Sequence, residues 1–296
     1  MIRPHRFYPN PETAADNAFQ QEISPNELST VSIAALREFD QAVATLRQAG
    51  VTVHVVDDTA VPAKPDAVFP NNWFSTHHDG RVVLYPMYSA ARRRERRLDV
   101  IDELRKHYRI TGVLDYSAEE TNARFLEGTG SLVLDHENKI AYASLSQRTH
   151  AEVLLRFCED FAYEAITFRS QSRDGRSIYH TNVMMCVGSE FALVGLETIR
   201  DEAERTGVQN LLESTGKEVI ELSAGQIDEF AGNAIELHNE REKLLVLSTR
   251  AEAALTDKQR KQIAQHARLV PLDLPTIELA GGSARCMIAT IHLPVI

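Results

Sequence analysis

The chain has 296 residues, 43% of them hydrophobic, enough for a full core in one large domain or two ordinary ones. Its 42 acidic and 32 basic side chains leave a net charge of -10, which repels phosphate backbones and anionic membrane surfaces and argues against a nucleic-acid partner. The start "MIRPHRFYPNPETAADNAF" has no basic region followed by an apolar core, and no run of about 18 apolar residues occurs, so a cytoplasmic protein without a membrane partner is expected.

In chain order, "MIRP" supplies a first short strand, and residues 5–28 are too polar and proline-interrupted for a core element, which predicts a loop over the mouth of a site. The helix "TVSIAALREFDQAVATLRQAG" ends at Gly50 and the strand "VTVHVVD" follows. Five stretches then share one pattern, polar and glycine residues feeding an apolar strand: "FPNNWFST" from 69, "LEGTGSLVLD" from 126, "YHTNVMMCV" from 179, "FAGNAIELH" from 230 and "AGGSARCMIATI" from 280, roughly every 50 to 57 residues. After each of the first four come a turn group and a second strand ("RVVLYPM", "KIAYASL", "FALVGLE", "KLLVLST"), predicting a hairpin. A helical segment follows, such as "SAARRRERRLDVIDELRKHY" or "AEAALTDKQRKQIAQHA", and then a short strand ("RITGVLDY", "EAITFRS", "EVIELS", "RLVPLDLP"). The unit is ββαβ. With "MIRP" beside the C-terminal "ATIHLPVI", the ends meet and close a ring of five units, and no linker or composition break divides the chain, so residues 1–296 are read as a single domain.

The three cysteines form neither a disulfide framework nor a zinc site. Cys158 recurs with Leu154, Phe157, Phe161 and Ala165 at helical spacing and belongs to a buried face, and Cys186 sits in the buried strand of "NVMMCVG". Cys286 differs: the glycines of "GGSARCM" let the backbone turn sharply and approach a ligand. His77 and His78 in "THHDG" point to opposite faces of a strand, and no metal is expected.

Over nearly its whole length the chain resembles the pentein, or amidinotransferase, superfamily of guanidino- and ureido-group enzymes. "LEGTGS" resembles the family's Glu-Gly-Gly element, "HTNV" its catalytic His element, "GGSARCM" its nucleophile element and "SLSQRT" its Ser-x-Arg-Thr segment, in order and each at its place in the repeats. The N-terminal stretch and "FPNNW" resemble the citrulline-utilisation hydrolase branch. The resemblance implies an α/β propeller around a pseudo-fivefold axis, no cofactor, and a small-molecule amino-acid substrate; self-association is left open.

The chemistry fits. A urea- or guanidine-type carbon is a poor electrophile, so a thiolate forming a covalent intermediate helps, and Cys286 takes that role. His180 would protonate the departing nitrogen and later deprotonate water. Glu127 would accept a hydrogen bond from His180 and favour its cationic form.

Arginine deiminases hold the guanidinium with two aspartates, whereas Asn72 and Asn182 occupy those places in this sequence. A guanidinium wants carboxylate acceptors, while a neutral ureido group both donates and accepts, as amides do. Arg148 in "SLSQRTH" resembles the arginine that clamps the substrate carboxylate; Arg92, opening "RRRERR" on an otherwise solvated face, is a second candidate. The sequence therefore reads as a hydrolase taking citrulline to ornithine, carbon dioxide and ammonia. Deimination or dihydrolysis of arginine by the same residues is the alternative, and a non-catalytic binding ring is the other, since the superfamily includes a ribosome-binding translation factor.

Overall fold

The computed structural model describes residues 1–296 as a mixed α/β fold of five small sheets. Four sheets have three strands: Phe74–Thr76, Arg81–Leu84 and Gly112–Asp115; Val133–Asp135, Ile140–Ser144 and Glu164–Phe168; Met185–Val187, Phe191–Val194 and Glu218–Glu221; Ile235–His238, Lys243–Ser248 and Arg268–Leu272. In each, the first two strands pair antiparallel across a tight turn, and the third returns parallel to the second after helical chain. The middle strand is the apolar one because layers cover both its faces: Ile140–Ser144 is buried at every position.

The fifth sheet departs from expectation. Ile2–Arg3 pairs parallel with Val56–Asp57, but "ATIHLPVI" forms no strand beside it. The Thr76 hydroxyl instead donates to the Thr290 carbonyl at 3.0 Å and accepts from the His292 amide at 2.8 Å, taking both groups a neighbouring strand would use. Pro294 lacks a donor, and its carbonyl accepts from Arg109 N at 2.8 Å. The two ends of the chain still meet, since Ile2 and Leu293 share a core cluster with Trp73, Phe74 and Leu84.

Helix Leu28–Gln48 buries Ala35, Phe39, Ala42, Val43 and Leu46 along one stripe, and Ala151–Phe161 buries Leu154, Phe157, Cys158 and Phe161. Two helices expected to be continuous are broken. The arginine-rich segment forms Ala90–Arg93 and Leu98–Arg105, separated where Glu95 turns inward to meet Arg92. The last helical segment forms Thr249–Ala254 and Asp257–Ile263, because Leu255 is extended and Thr256 caps a new helix with Gln259.

One further difference places the site. The polar stretches ahead of the inner strands are single helical turns, Pro70–Asn72, Gly128–Ser131 and Thr181–Met184, so Glu127 and His180 cap those turns and do not begin strands. Hydroxyls pin the turns together: Ser131 Oγ accepts from Glu127 N (3.0 Å) and donates to Arg148 O (2.7 Å), and Thr181 Oγ1 donates to Ser131 O (2.6 Å).

Candidate active site

Cys286 is reached through a turn that only glycine permits. Gly281 has φ +79°, and a Cβ there would lie 2.4 Å from the Asn17 side chain. The chain then folds back, with Cys286 N donating to Ser283 O at 3.0 Å and Ser283 Oγ donating to the buried Glu278 at 2.6 Å. The sulfur is buried and faces two amide donors, Asn233 Nδ2 at 3.3 Å and Asn182 Nδ2 at 3.5 Å. Asn233 is also a brace: its Nδ2 reaches the Asn182 carbonyl at 3.0 Å and its Oδ1 accepts from Arg285 N at 3.1 Å, joining three repeats.

His180 Nε2 lies 2.8 Å from Glu127 Oε2, and Glu127 Oε1 accepts from Tyr88 N at 2.9 Å. Burial would raise the Glu127 carboxyl, but Arg148, His180 and Arg92 outweigh it and hold the group well below the ordinary carboxylate range. For His180 the balance goes the other way. Burial is the largest effect, Glu127 opposes it, and Arg148 and Arg92 reinforce it, bringing the imidazole down to about 4. Glu127 favours the cationic imidazole as expected, but burial is the larger effect and favours the neutral ring. With Glu127 ionised, the ring proton sits on Nε2 and the lone pair on Nδ1. Nδ1 faces Gly130, where a Cβ would lie 2.7 Å from it and 2.3 Å from Asn72 Nδ2. Glycine keeps open the space between those two groups.

The expected solvated face around Arg92 is also corrected. Its guanidinium is buried, bonded to both oxygens of Glu95 at 2.9 Å, 3.6 Å from Asp66, and donates to Asn72 Oδ1 at 2.8 Å. With its charge met by Glu95 and Asp66, Arg92 orients Asn72. Because arginine only donates, Asn72 must turn Oδ1 toward it, and Asn72 Nδ2 is left a buried donor with no partner. Asn182 Oδ1 is likewise a buried acceptor without a partner.

Arg148 is buried and makes two bonds to Asp16, Nε to Oδ2 at 2.7 Å and Nη2 to Oδ1 at 2.6 Å, with Nη1 3.5 Å from Glu127 and the guanidinium 4.6 Å over the Tyr179 ring. Asp16 belongs to the N-terminal segment, whose Thr13 and Asn17 line the same small cavity as Asp66, Asn72, Arg92, Arg148, His180 and Cys286. That cavity measures about 10 Å³. Glu127 and Asn182 stand behind it, in contact with His180 and Cys286. A cleft of about 840 Å³ lined by Leu46, Val53, Tyr108, Leu237 and Ile288 touches none of the candidate residues.

Three residues at the site escaped the sequence reading. Asn233 lay in plain view in the fourth repeat, just ahead of an inner strand as Asn72 is. Asp16 and Asp66 carry no local signal. Burial pushes the Cys158 and Cys186 thiols up to about 11 and about 12. His77 stacks on Phe161 at 3.9 Å, and no group of His, Cys, Asp and Glu is arranged to hold a metal ion. No helix is long and apolar enough to cross a membrane.

The profile of the eukaryotic N,N dimethylarginine dimethylhydrolase family matches residues 3–293. The chain belongs to that family. Solved penteins share the architecture. The N-terminal domain of ArgZ, an arginine dihydrolase of the ornithine-ammonia cycle in cyanobacteria, was solved with substrate bound; it is 16% identical, with 97% of this chain and 95% of that chain covered and a TM-score of 0.75. AgrE in complex with L-arginine is 16% identical over 97% of this chain and 39% of that longer one, TM-score 0.75. A dimethylarginine dimethylaminohydrolase adduct with S-methyl-L-thiocitrulline is 14% identical over 97% and 96%, TM-score 0.64. At such identity the likeness is one of fold. No curated protein matches the sequence. Membership in the dimethylarginine dimethylhydrolase family makes the chain a hydrolase of guanidino-type carbon–nitrogen bonds.

Proposed function

We propose that the protein hydrolyses the terminal guanidino group of a free arginine-type amino acid, with Cys286 as nucleophile, His180 as proton carrier and Glu127 as its partner. The observation that carries this reading is the meeting of Cys286 and His180 in one small cavity, with Glu127 buried behind the histidine, in a chain matched almost end to end by a guanidino-hydrolase family. The five units are read as one catalytic domain closed about a pseudo-fivefold axis, a reading supported by contacts of the strand Met185–Val187 with Val133–Asp135 and with Ile235–His238, and by the shared core of Ile2 and Leu293.

In this reading the neutral His180 takes the thiol proton on Nδ1, the sulfur attacks the guanidino carbon while Asn182 and Asn233 donate to it, and ammonia leaves with the proton from His180. Water, deprotonated by His180, then displaces the sulfur and leaves the ureido amino acid. A second cycle on the ureido carbon releases ammonia and leaves the Nδ-carbamate of ornithine, which loses carbon dioxide to give ornithine. Glu127 balances the imidazolium in each cycle. Arg148 holds the substrate carboxylate; Asn72, braced by Arg92, meets the reacting group.

One observation favours the second reading, hydrolysis of citrulline alone. The partnerless Asn72 Nδ2 is a donor and calls for an acceptor, which a ureido oxygen supplies and a guanidinium does not. Ammonia release and product analysis with L-arginine, L-citrulline, dimethylarginine and agmatine test both. Ornithine from arginine supports the first reading, ornithine from citrulline only supports the second, and no turnover of any of the four overturns both.

A further inference from the structure

Asn72 and Arg92 are both buried, and one hydrogen bond joins them: Arg92 Nη1 donates to Asn72 Oδ1 at 2.8 Å. A carboxamide carries an acceptor oxygen and a donor nitrogen, and a half-turn of its terminal torsion exchanges the two at little steric cost. The neighbour decides which one faces the site. A guanidinium has donors and no acceptor, so only the oxygen of Asn72 can meet it, and Nδ2 is left without a protein partner. That nitrogen lies over Gly130 beside His180 Nδ1, since a Cβ on Gly130 would come within 2.3 Å of the one and 2.7 Å of the other.

Arg92 is itself held in place. Glu95 accepts from Nε and from Nη2, each at 2.9 Å, which fixes the plane of the guanidinium and with it the direction in which Nη1 donates. Asp66 at 3.6 Å and Glu127 at 3.8 Å surround the same cation. The helical turn that carries Arg92 is anchored in turn, because Glu12 accepts from Ala91 N at 2.8 Å. A buried donor aimed at the reacting group is satisfied by an acceptor and left stranded by another donor, and the stranded case weakens binding by about tenfold or more.

We propose that Arg92 is a specificity-determining residue: by donating to Asn72 it locks that amide with its nitrogen toward the reacting group, and so tilts the site toward a planar group with an acceptor there, a ureido oxygen, and away from a guanidinium, whose polar atoms all donate. Arg92 acts through Asn72 and is a positioning residue. This rests on the reading above that Asn72 meets the reacting group. It applies whether the ureido compound is offered as substrate or formed in a first cycle on arginine.

The test measures binding of L-citrulline and L-arginine by titration calorimetry in a Cys286→Ala background, where neither is consumed, and the readout is the ratio of the two dissociation constants. A glutamine side chain can donate to Asn72 Oδ1 or accept from Nδ2, so Arg92→Gln frees the amide to turn and should shift the ratio about tenfold toward arginine. Arg92→Lys, still a donor only, should keep most of the original ratio. With Asn72→Ala added, Arg92→Gln should leave the ratio where Asn72→Ala alone puts it. If Arg92→Gln fails to fold because Glu95 loses its cation, Arg92→Gln combined with Glu95→Gln replaces the buried pair together and reads the same ratio. Three results overturn the inference: citrulline and arginine weakening alike in Arg92→Gln, as they would if Arg92 held the substrate carboxylate; Arg92→Lys shifting the ratio as far as Arg92→Gln; or the shift surviving in Asn72→Ala, which would make it an effect of charge at a distance. The parent reading fails separately: it falls if neither compound binds Cys286→Ala and the wild-type protein turns over neither.

Discussion

Histidines stand near both ends of the inner strands, under different surroundings. Ahead of them, His180 bonds to Glu127 at 2.8 Å with Arg148 and Arg92 close by. Beyond the other end, His78, His136 and His292 cluster with ring centroids 4.3 to 6.2 Å apart. There the partners are neutral hydroxyls, Tyr163 OH at 2.8 Å from His136 and Thr290 Oγ1 at 3.0 Å from His292. Burial pulls His180 and His136 alike down to about 4, and His292 to about 3. The value is shared, but a proton on His180 lies against a carboxylate, whereas one on His136 or His292 falls among other histidines, Lys139 and Arg285. A low pKa does not mark a catalytic histidine; the countercharge waiting beside it does.

The comparison breaks first if the leading end is not chemical. Cys286→Ala should abolish turnover while circular dichroism and thermal unfolding stay close to wild type, since a small residue replaces a small one; comparable activity would mean that the nucleophile lies elsewhere. Next comes Glu127→Gln, which keeps a hydrogen-bonding partner but removes the countercharge. We expect kcat to fall roughly 10²- to 10⁴-fold, the range for general acid–base assistance, with KM far less affected. An equal loss from His136→Gln would erase the distinction between the two ends.

Arg148→Ala should raise KM about ten- to a hundredfold, the worth of a charge-assisted carboxylate pair, and should also lower the melting temperature because Asp16 and Glu127 lose a buried countercharge. Steady-state kinetics and calorimetry on the same variant separate the two effects.

The smallest effect sharpens the trailing end. His136 and His292 titrate lower in the folded chain than the unfolded value of about 6.5, so the unfolded state binds protons first as pH falls. Their contribution to stability is constant above about pH 6.5 and is lost progressively below it, down through the folded values of about 4 and about 3. Urea unfolding of wild type against His292→Gln should show the variant losing less stability between pH 6.5 and 5, by about 1 kcal/mol after allowing for partial exposure. A parallel loss in both proteins would count against the neutral histidine cluster.

Much of the fold is legible in the sequence. Hairpin, helix and returning strand stand where alternating apolar runs and turn residues put them, in all four complete units. The helical periodicity around Cys158 placed it on the buried face of its helix, where it lies. These signals are local: a turn or an apolar stripe is written in neighbouring residues. The misread fifth sheet shows the boundary, because Thr76 captures the C-terminal segment through one hydroxyl from 214 residues away.

Sequence by itself determined the repeat, the family resemblance and the candidate site residues, since each depends on residue type at a fixed spacing. Only the tertiary structure decided what surrounds those residues: that burial works against a charge on His180, that Arg92 is spent on Glu95 and turns Asn72, and that Arg148 is already held by Asp16. Charge state and partner choice follow from burial and from which charges meet in space, and folding brings Asp16 to Arg148 across 132 residues of chain.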